Sequence, residues 1–224
     1  MATTHALSTR LVRWLLISAT ITLASWGLAG NWRLPLLDVY VAGTVVFFLV
    51  AMLILDPAVV HERLRPKEVG IDPKRLALIR LLVLVHLVVG LIDVGRARWS
   101  NTVPRPLQVS ALVVVAGGAA WVLWAITVNP FFVPVIRIQP ERNHQVVTGG
   151  PYAFVRHPGY AGMVLLVPAS ALALGSWAAL VPALAASVLL VRRTADEDRF
   201  LQERLEGYGR YAGMVRYRLL PGVW

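Results

Sequence analysis

The chain has no cysteine. Disulfides, thiolate nucleophiles and cysteine-ligated metals are thereby excluded. Lysine is almost missing: Lys67 and Lys74 stand against 20 arginines in 224 residues. Charge of either sign is scarce, with 15% of residues Asp, Glu, Lys or Arg, against about 25% in an ordinary soluble domain. In its place the chain has 57% hydrophobic residues and a mean hydropathy of +0.64. Runs such as 39–55 and 76–92 are long enough, or nearly so, to cross a hydrocarbon core of about 30 Å. These features describe a multi-pass membrane protein. The formal net charge of +10 would suggest nucleic acid in a soluble protein. Here it reads as basic loops held at the cytoplasmic face against anionic membrane lipid, with no nucleic-acid partner.

Six apolar segments are expected, at about residues 11–30, 37–56, 76–95, 108–128, 159–175 and 176–192. The first follows Arg10 and Arg13, as a secretory signal would. It runs on to Trp32 without a small-x-small cleavage site, so it reads as a retained helix. Asp56-Pro57 closes the second, since proline removes a helical donor. The loop 57–75 carries Arg63, Arg65, Lys67, Lys74 and Arg75, which argues for the cytoplasmic side. An even number of segments then puts both termini there, in what would be a cell inner membrane. Arg96, Arg98 and Arg105 oppose this topology, because they fall on the outer side. Residues 158–192 must hold the last two segments and a turn at Gly175-Ser176. Each helix is then roughly 24 Å long, a tight hairpin that either stops short of the far face or thins the bilayer.

Against this background, residues 139–160 form a polar stretch broken by glycine and proline. Irregular backbone at a membrane is costly unless it lines a site. A second polar cluster, Arg192 to Asp198, follows the hairpin, whose ends return to one face. Both clusters therefore read as one divided site. Pro158 suits a first helical position, which puts Arg156 and His157 at a helix mouth able to receive an anion. One basic residue there could simply snorkel to headgroups. The grouping of His144, Tyr152, Arg156, His157 and Tyr160 points instead to a site. Arg193 and Glu197, four apart, share a helical face, which a solvated surface pair would also do. Residues 196–206 read as a separate amphipathic interfacial helix, with Phe200, Leu201 and Leu205 on one side. The tail beyond Tyr208 mixes aromatic and basic residues, as an interfacial anchor does, and secondarily as a lid would. His86 and Asp93 lie inside the third segment. Intramembrane ionisable groups are functional candidates, but a haem or metal site would need a second histidine at that depth, so no metal is expected.

Gln139, then His144 to Val147, then Gly150-Pro151-Tyr152, then Arg156-His157-Pro158-Gly159-Tyr160, then Arg193 to Glu197, resemble the isoprenylcysteine carboxyl methyltransferase family, within a wider group that includes phospholipid and small-thiol methyltransferases. The resemblance covers about residues 129–224. It implies S-adenosyl-L-methionine as cofactor, with contacts from Gln139, His144, Gln145, Val146, Val147, Tyr152, His157, Pro158, Gly159, Tyr160 and Glu197. It implies Arg193 on the substrate, and Arg193 and Glu197 as the catalytic pair. The family often has two adjacent glutamates where this chain has Asp196-Glu197.

The chemistry is compatible. The cofactor's carboxylate suits a helix N-terminus or basic groups, its ammonium suits Glu197, and its adenine suits walls such as Val146, Val147 and Tyr152. Transfer from a sulfonium to an anion consumes charge, which a dry site favours. The expectation is an all-α membrane bundle of five or six spanning helices forming one domain: four helices over 1–128, and a cofactor-binding catalytic part over 129–224 with a C-terminal hairpin and an interfacial site. The acceptor would be lipophilic or membrane-delivered, a prenylated carboxylate first. A phospholipid amine, a small thiol, and a non-catalytic transporter or haem protein are the alternatives.

Overall fold

The computed structural model describes residues 2–68 and 70–224, with side chains from Arg10 onward. Eight α-helices order the chain: α1 (Ala2–Ala29), α2 (Pro35–Ile54), α3 (Pro57–Leu64), α4 (Pro73–Ile92), α5 (Arg105–Val128), α6 (Pro158–Ala173), α7 (Trp177–Arg204) and α8 (Tyr208–Met214). No strand occurs among the described residues. Prolines occupy the first turn of α2, α3, α4, α5 and α6, where a missing N–H costs no helical hydrogen bond.

Five helices are long and apolar enough to cross a membrane, and α6 is a shorter apolar helix. The packing is that of a membrane protein. Small residues face inward, with Ala125, Ala171, Ala179, Ala183 and Ala186 fully buried. Large ones face outward: Leu16, Leu23, Val113 and Val181 are 63–71% exposed, as lipid-facing positions are. Helices α5 and α6 meet at Gly118 and Gly162. A Cβ on Gly162 would stand 2.9 Å from the Gly118 carbonyl oxygen, so only glycine permits this approach.

The short hairpin does reach the far end of the bundle. Ser176 Oγ, at its tip, donates to Asp93 Oδ2 (2.6 Å), just beyond the C-terminus of α4. Ser100 also binds Asp93 through its N–H (2.9 Å) and hydroxyl (2.5 Å). Asp93 thus ties the end of α4 to the following loop and to the hairpin turn through three hydrogen bonds. The outer-side arginines also find a reason. Arg96 donates to the carbonyls of Leu28 (3.0 Å) and Gly27 (2.8 Å), satisfying orphan acceptors at the C-terminus of α1 where the helix dipole favours a cation.

Two expectations are corrected. Residues 196–206 are not a separate interfacial helix; α7 continues from the apolar hairpin to Arg204 without a break. The reason is an inward stripe that runs on past the hairpin: Leu190, Thr194 and Asp198 are buried at steps of four residues, and Leu205 is buried seven residues further on, just past the helix end. The loop 57–75 also contains a helix, α3, capped by Asp56, whose Oδ1 accepts from the Ala58 N–H (2.7 Å).

Candidate active site

The stretch between α5 and α6 folds over one end of the bundle. Asn129 turns the chain out of α5, its Oδ1 accepting from the Phe131 N–H (2.8 Å). Gln139 then ties the loop from within. It is fully buried, donates to the Phe131 carbonyl (2.8 Å) and accepts from Arg142 (2.9 Å). Its own N–H donates to His144 Nδ1 (3.3 Å). The His144 ring lies on Phe131, centroids 4.4 Å apart. Burial, reinforced by Arg137 and Arg142, lowers the His144 pKa to about 4. A neutral ring accepting at Nδ1 carries its proton on Nε2. Arg137 is clamped between Glu62 of α3 (2.6 Å) and Glu141 (2.8 Å), which fastens this loop to α3.

Residues 139–160 and α7 do converge. A cavity of about 480 Å³ is lined by His144, Gln145, Val146, Val147, Tyr152, His157, Gly159, Tyr160, Arg193 and Glu197, with Phe131, Phe132, Leu201 and Leu205. Gln139 and Pro158 are not on its wall; the first orders the His144 loop and the second opens α6. Gly159 is required by contact, because a Cβ there would meet the Phe132 ring at 2.4 Å. Burial raises the Tyr152 phenol well above its usual pKa; its oxygen accepts from Asn129 (2.9 Å).

Arg193 and Glu197 do not pair directly. Arg193 Nε donates to the Tyr160 hydroxyl (2.9 Å), which in turn donates to Glu197 Oε2 (2.8 Å). Arg193, expected to face the substrate, is 2% exposed. Its other donors go to Asp72 (3.1 Å) and the Pro134 carbonyl (2.8 Å). It therefore fixes Tyr160, which fixes Glu197.

The residue missed by sequence reasoning is Asp198. It is fully buried. Its Oδ1 lies within hydrogen-bond reach of Arg156 Nε (2.7 Å), His157 Nε2 (3.0 Å) and the Tyr208 hydroxyl (2.9 Å). Its Oδ2 accepts from Arg156 Nη2 (3.0 Å), Gln202 (2.8 Å) and Arg218 (2.8 Å). The available signal was its place on the inward stripe of α7. Arg156 also donates to the carbonyls of Val215 and Arg216 (2.8 Å each). The tail expected to anchor at the interface is thus latched across the site. Tyr208 and Tyr211 line the cavity, and burial raises both phenols.

With this geometry in view, residues 110–203 match the profile of the Isoprenylcysteine carboxyl methyltransferase (ICMT) family. That stretch, under half of the chain, is what is similar to the family. A stretch of 57 residues is 37% identical to "Probable protein-S-isoprenylcysteine O-methyltransferase" of Oryza sativa subsp. indica, and equally to its counterpart in subsp. japonica. The aligned part covers 25% of this chain and 30% of each relative, so under a third of the relatives' length is matched. The family stretch contains all the site residues expected from sequence, and Asp198. It excludes Glu62, Arg63, Tyr208 and Arg218.

Proposed function

We propose that this integral membrane protein transfers a methyl group from S-adenosyl-L-methionine to the carboxylate of an S-isoprenylcysteine or a closely similar lipophilic acid. One observation carries the reading: a single cavity unites the family's polar residues with an apolar arm formed by Leu76, Ile79 and Val83 of α4, Met163 of α6 and Leu190 of α7. Its volume suits a cofactor-sized guest. The residues fit that guest. Glu197, oriented by Tyr160, suits an ammonium; His157 and the mouth of α6 suit a carboxylate; Phe131, Val146, Val147 and Tyr152 suit an adenine. Gln145 would flank that group, while Gln139 and Pro158 act through the loop and helix they shape.

When bound, the cofactor supplies an electrophilic methyl group on a sulfonium. The chain's own part is positioning. An ionised carboxylate acceptor needs no general base, whereas an amine acceptor would. His144 and the apolar walls restrict water, and the latched tail covers one side. The lipophilic acceptor chain fits the arm between α4, α6 and α7. The site side would be cytoplasmic, in a cell inner membrane, because α3 and the basic residues 57–75 border it. The test is purified protein in lipid nanodiscs with methyl-labelled cofactor and N-acetyl-S-farnesylcysteine. Base-labile label in the acceptor is expected. Cofactor binding with no label in the acid, and label in phospholipid amine instead, would overturn the reading.

A further inference from the structure

Of the five arginines that line the cavity, Arg63 and Arg80 have no acid partner among the described residues, and Arg80 is exposed, so Arg63 is the one that combines a missing acid with a buried, unpartnered nitrogen. Arg137 is paired with Glu62 and Glu141, Arg156 and Arg218 with Asp198, and Arg193 with Asp72. No acid pairs with Arg63 among the described residues, and its buried Nη1 has no hydrogen-bond partner there. Its guanidinium carbon sits 4.9 Å from the centroid of Phe132, the ring that presses on Gly159. Arg63 lines the same cavity as Glu197 and the apolar residues Leu76 and Ile79. A buried guanidinium nitrogen without a partner is costly, and such a group is completed by an anion that enters with a ligand. Burial, with the like charge of Arg80, already lowers the Arg63 pKa from its usual value.

We propose that Arg63 binds the acceptor's carboxylate within the cavity that Glu197 and the apolar residues of α4, α6 and α7 share. The inference rests on the methyl-transfer reading and names the residue that orients its acid. The division of labour follows from the pairing pattern. Arg193 is taken up by Asp72, Pro134 and Tyr160, so it positions Glu197, while Arg63 is left to receive an anion. Arg63 lies outside residues 110–203, so acceptor choice would be set by a part of the chain separate from the family stretch.

The test uses direct binding, which needs no turnover. N-acetyl-S-farnesylcysteine and its carboxamide are titrated into the purified full chain in detergent, alongside S-adenosylhomocysteine. Partition into micelles cancels when the acid-to-amide preference is compared between variants. Wild type should prefer the acid by about tenfold, equivalent to about 1.4 kcal/mol. Arg63→Gln, which keeps a stem across Phe132, and Arg63→Ala should both bring the preference near unity and leave S-adenosylhomocysteine affinity within about threefold. Arg80→Gln should keep the preference. An unchanged preference in Arg63→Gln, its loss in Arg80→Gln instead, no preference in wild type, or a parallel fall in S-adenosylhomocysteine affinity would each overturn the assignment. If Arg63 sets the acid preference but wild type forms no methyl ester, the carboxylate site stands and the methyl-transfer reading falls.

Discussion

Asp198→Asn is the substitution from which the most can be learned. Each oxygen of Asp198 faces three donor groups, and Arg156 and Arg218 both approach it. An asparagine has the same shape but offers one carbonyl oxygen and one NH2. Whichever way the amide turns, its NH2 confronts three donors. Its loss of charge leaves Arg156, itself buried, without its carboxylate. Breaking a buried ion pair from one side costs about 3–5 kcal/mol. For a chain of this size each kcal/mol moves Tm by about 2–4 °C, so a fall of roughly 6–20 °C is expected in a detergent melt. The same change loosens the tail, because Arg156 can no longer be held to donate to Val215 and Arg216. Limited trypsinolysis should then cut after Arg216 or Arg218 faster than in wild type. A Tm within about 2 °C of wild type, with an unaltered cleavage pattern, would refute the claim that Asp198 holds the site together.

Three further predictions follow from the geometry. Tyr160→Phe removes the donor to Glu197 and the acceptor for Arg193, so S-adenosylhomocysteine affinity should fall about tenfold or more, from a charge-assisted bond of about 1.5–3 kcal/mol; a change under twofold in calorimetric titration would break the proposed chain from Arg193 to Glu197. His144 has a folded pKa of about 4 against an ordinary 6.5, so its contribution to stability is complete above pH 6.5 and is lost as pH falls toward 4; Tm should drop across that window less steeply in His144→Gln than in wild type, and equal slopes would contradict it. Six passes, counting the hairpin as two, put the loop at residues 31–34 opposite the end of α8, so reporter fusions at those two places should read opposite sides of the membrane, and the same side would dismantle the topology.

Much of the architecture is legible in the sequence. Long apolar runs, few charges and prolines at helix starts set the membrane helices, because a bilayer demands continuous backbone pairing over about 20 residues. Residues 139–160 stood out since polar, glycine-broken chain has no place at a membrane unless it lines something. What the sequence could not decide was partnership. Arg193 and Glu197 read as a helical pair at spacing four, yet Tyr160, from another helix, stands between them. Asp198 ends the second polar cluster without any role of its own in the sequence, and its burial depends on α7 continuing past the hairpin while Arg156, Tyr208 and Arg218 arrive from elsewhere. Arg63 looked like one basic residue among five in a loop; its lack of a partner emerged only when Glu62 and Glu141 were found on Arg137. Local periodicity reports which face of a helix is buried. Which charges meet on that face is a property of elements distant in sequence, and only the packed structure decides it.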